Sequence, residues 1–194
     1  MSINLDKSFE ALYNLLLQTD FGDKLGGEIP LFIQPFDPAS QFQIEEYIDR
    51  LSSRLERKNI RTLKINLFDI AVQILKEQDI LDVIIEDEKS ISKDDLIATM
   101  DSVLDVSSVI IPKFQELIRE YNPKYVFISG VGHVYPFIRS HGILNNIDEL
   151  TSECKLILFF PGDYSNQQLK LFSMVSDENY YRGINLNELT HNQI

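Results

Sequence analysis

The chain has 194 residues, of which 44% are apolar and 25% charged, and carries a formal net charge of −12. This is enough for one well-buried core, and the composition is that of an ordered, water-soluble protein. It excludes several classes at once. No run approaches the ~20 apolar residues of a membrane helix, and Met1 to Glu10 lacks the basic segment and apolar core of a secretion signal. The charge opposes direct attraction to nucleic acid, which Lys and Arg on phosphates dominate. A single cysteine, Cys154, rules out an internal disulfide framework or a multi-cysteine zinc site. A cytoplasmic protein of one domain, 1–194, is expected.

Leu5, Phe9, Leu12, Leu15 and Leu16 recur with helical spacing, and Gly22, Gly26 and Gly27 close that helix. Leu31 to Gln34 reads as a short strand. Asp37 and Pro38 then supply the N-cap and first position of a helix to about Arg57, with Ile44, Tyr47, Ile48, Leu51 and Leu55 as its apolar face. Ile60 to Leu67 gives a second strand. From 68 to 121 helical periodicity dominates, in pieces near Ile70–Leu81, Asp94–Leu104 and Val106–Tyr121, and Pro112 either kinks the last piece or starts a separate helix. This stretch is too long for a minimal crossover and reads as a helical insertion.

Asn122-Pro123 is a stop signal before a third, largely apolar strand, Lys124 to Ser129. A helix from about Pro136 to Ile147 follows, then a strand at Leu156–Phe160. Pro161-Gly162-Asp163 is expected to turn sharply into a helix through Leu169, Leu171 and Phe172, and Tyr180 to Leu186 to form a fifth strand. The alternation predicts a three-layer α/β/α domain, with a mainly parallel sheet of about five strands and 68–121 inserted.

Charge is uneven. Residues 50–64 hold Arg50, Arg54, Arg57, Lys58, Arg61 and Lys64 against Glu56, whereas 86–105 hold seven acids against Lys89 and Lys93. Such asymmetry suits an assembly surface, and the basic stripe offers a weaker reading as a DNA contact within a complex. Neighbouring acids such as Glu45-Glu46 and Asp94-Asp95 diverge by about 100 degrees on a helix and read as solvated faces.

The most informative stretch is Tyr125-Val-Phe-Ile-Ser-Gly130-Val-Gly132-His-Val-Tyr135-Pro136-Phe-Ile-Arg139-Ser140. A buried strand ending in glycines is where open α/β proteins bring backbone N–H groups to an anion. Aligned on Gly130, however, both GxGxxG and GxxxxGK[ST] require glycine at 135, and the second also lysine at 136. Tyr135 and Pro136 stand there. GxSxG fails as well, because Phe127 occupies the place two before Ser129. A regulatory domain degenerate from a P-loop-like or Rossmann-like ancestor, sensing a nucleotide at the Gly130–Gly132 turn, remains an alternative. The plainer reading is a tight turn with close packing. His133 and His141, with Cys154 and Asp163, make a poor metal set, and no spacing rule joins Cys154 to a histidine as a catalytic dyad. Arg139 and Arg182 sit among aromatic and apolar residues, either paired within the fold or presented to a carboxylate or phosphate at a docking face. Tyr164, Tyr180 and Tyr181 combine apolar area with a polar tip, a chemistry enriched at interfaces.

Six phrases in register extend over about residues 30–186: Phe32-Ile-Gln-Pro-Phe-Asp-Pro38, Ile65-Asn-Leu-Phe68, Gly130 to Ser140, Leu144-Asn145, Phe160-Pro-Gly-Asp-Tyr164 and Asn179-Tyr-Tyr-Arg182. Together they resemble the BrxB family of BREX (bacteriophage exclusion) systems. The resemblance implies a component of an anti-phage system without established catalytic activity or cofactor. It also implies companions: a PglZ-like protein of the alkaline-phosphatase family, a PglX-like DNA methyltransferase and a BrxC-like ATPase. DNA would be met only through the complex, and no membrane is involved. By the resemblance, Asp37, Gly130, Gly132, Tyr135, Pro136, Arg139, Asn145, Pro161, Gly162, Tyr164, Tyr180, Tyr181 and Arg182 are structural or docking residues of a non-catalytic adapter that binds the PglZ-like protein.

Overall fold

The computed structural model describes residues 4–19, 21–22, 31–87, 89–146, 149–150 and 154–191. Gly26, Gly27 and Ile147, assigned above to element ends, lie outside them. In chain order the described elements are α1 (Leu5–Leu16), β1 (Leu31–Phe36), a 3₁₀ turn (Pro38–Ser40), α2 (Gln41–Glu56), β2 (Thr62–Asn66), α3 (Leu67–Glu77), α4 (Leu81–Asp87), α5 (Lys93–Val103), a π turn (Val106–Ile110) and α6 (Ile111–Tyr121). Then come β3 (Tyr125–Ser129), α7 (Val131–Val134), α8 (Ser140–Asn145), β4 (Lys155–Ser165), β5 (Gln168–Leu171), β6 (Val175–Ser176), β7 (Ile184–Asn185) and α9 (Leu186–His191).

The main sheet has the order β2-β3-β4-β1-β7, and all its pairings are parallel. The central strands are largely apolar because both faces are covered, with Gln34 a buried polar residue in β1. Alternation divides the side chains between two cores. Leu31, Ile33, Val126, Ile128, Leu156, Leu158 and Phe160 join α3, α6, α7 and α8 on an aliphatic face. Phe32, Tyr125, Phe127, Ile157 and Phe159 join α1 and α2 on an aromatic one. There Phe159 stacks on Phe9 at 5.7 Å and meets the edge of Phe127 at 5.7 Å, geometries that suit the quadrupoles of the rings. The result is the expected three-layer α/β/α architecture.

Local chemistry places the helices. Asp37 Oδ1 accepts from Ala39 N at 2.9 Å ahead of Pro38, as the capping signal requires. Asn66 Oδ1 accepts from Phe68 N at 2.9 Å and starts α3. Ile110 and Ile111 both keep right-handed helical backbone, so the π turn and α6 follow one another without a break and Pro112 sits at their join. Asn122, left-handed at φ 45°, ends α6.

Three expectations after Ser129 are corrected. Instead of one helix from Pro136, a short α7 precedes it and α8 follows. Tyr135 is extended, as a residue before proline prefers, and the buried Ile138 folds the intervening segment inward. Pro161-Gly162 does not turn into a helix. β4 runs straight through it and, beyond the parallel sheet, forms an antiparallel hairpin with β5, Tyr164 facing Leu169. The hairpin loop, Asn166-Gln167, has φ of 51° and 63°, the positive values a two-residue turn needs. Leu169 and Leu171 are buried and Lys170 is exposed, so the period is two, not 3.6. Finally, the fifth strand shrinks to Ile184–Asn185, because Tyr180 to Gly183 is irregular and Leu186 already begins α9.

Candidate functional site

In parallel α/β sheets small ligands lodge outside the carboxyl ends of the strands, where connections depart toward opposite faces. Here β1 leads to α2 on the aromatic face and β3 leads to α7 on the aliphatic face, which brings the Gly130–Gly132 turn to that position. The turn is packed, not open. Gly130 is left-handed at φ 78°, and a Cβ on it would lie 2.4 Å from Asn66 Oδ1. A Cβ on Gly132 would lie 2.8 Å from Phe172 Cε1 and 2.9 Å from Gln41 Oε1. The space left between Phe36, Gln41, Glu45, Gly130 and Pro161 is about 10 Å³, roughly enough for one water.

Glu45, placed by its sequence on a solvated face, instead turns toward this crevice. It is about half buried, and Asn66 Nδ2 donates to its Oε1 at 2.9 Å. Burial raises its pKa above the usual carboxylate value, and the bond from Ser129 only partly offsets this. A carboxylate in that place opposes a phosphate. Asn66 thus serves two neighbours, capping α3 with its oxygen and holding Glu45 with its nitrogen.

The phrases at 160–164 and 179–182 meet in a clasp. The buried Tyr164 hydroxyl lies 2.7 Å from Tyr181 O and 2.9 Å from Gly183 O as donor, and accepts from Gly183 N at 3.2 Å. Tyr181, also buried, donates its hydroxyl to Asp177 Oδ2 at 2.5 Å, and Asn179 donates to Asp177 Oδ1 through N at 3.0 Å and Nδ2 at 2.7 Å. Burial opposes ionisation of Asp177, but these donors outweigh it and hold its pKa below the usual value. For Tyr181, burial and the facing carboxylate both push the phenol upward. Gly162 completes the arrangement. At φ 146°, any Cβ would sit 2.1 Å from Lys170 O across the hairpin.

The clasp forms one wall of a cleft of about 330 Å³, whose floor includes Ile138, Phe160, Leu169 and Leu171. Tyr135, Arg139 and Ser140 form the facing wall, and Asp177, Glu178 and Asn179 the clasp side. A second, shallower cleft of about 450 Å³ lies between α5 and the same segment, lined by Ile97, Asp101, Leu104, Asp105, Phe137 and Arg139 among others. Arg139 and His141 line both clefts and so form the ridge between them. Among the described residues the exposed Arg139 guanidinium has no ion-pair or hydrogen-bond partner. The peptide between Tyr135 and Pro136 is cis.

The residues singled out in the sequence therefore divide. Asp37, Gly130, Gly132, Pro161, Gly162, Tyr164 and Tyr181 hold the fold, whereas Tyr135, Pro136 and Arg139 lie on cleft walls. Asn145, Tyr180 and Arg182 are exposed outside both clefts. Asp177 and Glu45 were missed: the partner of Glu45 is 21 residues away, whereas Asp177 with Asn179 two residues on was a local turn signal left unread. Cys154 is buried at the amino end of β4, and Sγ donates to Leu150 O at 3.3 Å; His133 lies beyond the carboxyl end of β3. The two ends of the sheet separate that pair. Among the described residues no group of three or more His, Cys, Asp or Glu is placed to hold a metal.

The basic stripe is also redrawn by the fold. Arg54 makes a two-pronged contact with Glu10, at 2.6 and 2.9 Å, and lies over Tyr13, while Arg50 pairs with Glu46 at 2.9 Å and Lys64 with Asp49. Three of its cations are thus matched by carboxylates that the linear count does not include. No helix among the described residues is long and apolar enough to cross a membrane.

Comparison with known proteins follows the same residues. No solved structure matches the chain. It is 32% identical over 164 residues to a BREX protein BrxB of Bacillus cereus (strain H3081.97), covering 84% of this chain and 85% of the relative. It is 24% identical over 163 residues to a BREX protein BrxB of Escherichia coli O9:H4 (strain HS), covering 83% and 80% respectively. The family model of BREX protein BrxB matches residues 63–186, a span that includes the turn, the clasp and both clefts. The chain belongs to the BrxB family of BREX proteins.

Proposed function

We propose that this protein is a non-catalytic adapter of a cytoplasmic BREX phage-defence complex and that it binds the PglZ-like protein of the alkaline-phosphatase family. The observation that carries the reading is the state of the crevice at the carboxyl ends of the strands. The turn where a nucleotide-binding version of this fold would hold a phosphate is filled by Gln41, Glu45 and Phe172. Beside it, exposed groups with binding chemistry, Tyr135, Pro136 and Arg139, edge two open clefts. A filled crevice with a receptive exterior is the arrangement of a surface that recognises another macromolecule. Contacts with the BrxC-like ATPase and the PglX-like methyltransferase follow from membership of the same complex, and DNA is reached through them.

The test is direct. The two purified proteins are mixed at micromolar concentration in moderate salt and passed over a sizing column with light scattering. A co-eluting species with the mass of a heterocomplex is expected. Separate elution at every ratio tried refutes the adapter reading.

A further inference from the structure

The ridge between the two clefts alternates in charge with their outer walls. Asp101 and Asp105 stand on the α5 side, Arg139 and His141 in the centre, and Asp177 and Glu178 on the clasp side. The outer carboxylates are not equivalent to free ones. Asp177 is saturated by Tyr181 and Asn179, and Asp105 Oδ1 accepts from Ser108 N and Oγ, both at 2.7 Å. Arg139, in contrast, is exposed and has no partner among the described residues. It is the charge with unused donors, five N–H groups in a planar fork that matches a carboxylate. Apolar side chains line the clefts on either side at partial exposure: Tyr135 at 38% and Val175 at 40% in one, and Ile97 at 43% in the other. Exposed apolar surface in the clefts that flank an unpaired arginine is the composition of an interface centre.

We propose that this double cleft receives a segment of the phosphatase-like partner that carries a carboxylate between two apolar or aromatic side chains. The carboxylate takes the Arg139 fork, and one apolar side chain enters each cleft. Basic residues flanking the segment complement the outer acidic walls, and a segment with the opposite pattern is repelled. The inference rests on the adapter reading and adds to it the surface and the chemistry of the contact.

Four variants at exposed positions test it without disturbing the core: Arg139→Glu on the ridge, Val175→Glu at one cleft, Ile97→Glu at the other, and Ile85→Glu, 62% exposed and outside both clefts, as control. Circular dichroism and melting temperature establish that each is folded, and titration calorimetry against the purified phosphatase-like protein gives the dissociation constant. The first three are expected to weaken binding by about tenfold or more each, as removal of an interface anchor does, and the control to leave it unchanged. Arg139→Lys, which keeps the charge but not the fork, should fall between wild type and Arg139→Glu. If wild type binds and the three ridge and cleft variants bind within about twofold of it, the surface is elsewhere and this inference fails while the adapter survives. If wild type itself does not bind, the adapter reading fails and takes the inference with it. If the same variants abolish self-association of this chain and leave partner binding intact, the occupant is a second copy and the inference is likewise overturned.

Discussion

Replacement of Tyr164 by phenylalanine removes one oxygen from the centre of the clasp and changes little else. That hydroxyl is within hydrogen-bond distance of Tyr181 O, Gly183 O and Gly183 N, and its residue is 6% exposed. Phenylalanine preserves the ring packing but leaves up to three backbone groups without their partner. A buried polar group so orphaned costs about 1–3 kcal/mol. Gly183 is only partly buried, so water re-satisfies part of its demand and the sum stays near the middle of that range, about 2 kcal/mol. For a chain of this size that lowers the melting temperature by about 4–8 °C. Differential scanning calorimetry of Tyr164→Phe beside Tyr180→Phe, whose ring is 72% exposed, supplies the assay and its control. The neighbouring Asp177 adds a pH signature. Its pKa is depressed in the fold, so its contribution is complete above the ordinary aspartate value near 3.8 and is lost as pH falls through the folded value. The acid limb of the stability curve should therefore flatten in Asp177→Asn. A Tyr164→Phe melting temperature within about 1 °C of wild type would refute the claim that this hydroxyl pins the strap from 177 to 183.

Glu45→Gln tests the polar crevice, because a carboxyl whose pKa is raised in the fold favours the folded state below the unfolded value of 4.5 and loses that advantage as pH rises. The variant keeps an acceptor for Asn66, so it should be as stable as wild type or more so at pH 7, with the difference vanishing below about pH 4; greater stability of wild type at pH 7 would contradict the assignment. A thermal-shift series with ATP, GTP and NAD should be flat, since any ligand preferring the native state raises the melting temperature, by the equivalent of about 2.7 kcal/mol at one hundred times its dissociation constant. A clear rise with any of them, lost in a variant of the turn, would restore the nucleotide reading.

Periodicity and end signals in the sequence determined most of the scaffold. The strand at 125–129 is apolar on both faces and must be central, Asp37 marks a helix start because its short side chain caps the local backbone, and Asn122 before Pro123 marks a helix end because asparagine tolerates the left-handed conformation. The breaks in the glycine templates at Tyr135 and Pro136 were equally legible, since they depend on residue type and spacing alone. Tertiary structure decided what those signals leave open. Leu169 and Leu171 fit a helix or a strand in so short a window, and pairing with Tyr164 across the hairpin selected the strand. Glu45 resembles any surface acid until Asn66, which is 21 residues away, is folded against it. Arg54 reads as free in the chain and is engaged in the fold by Glu10, 44 residues earlier, whereas Arg139 stays open to a partner. Backbone preference acts over a few neighbours and is written locally. The pairing of Glu45 and Arg54 depends on groups distant in sequence, which folding alone brings together.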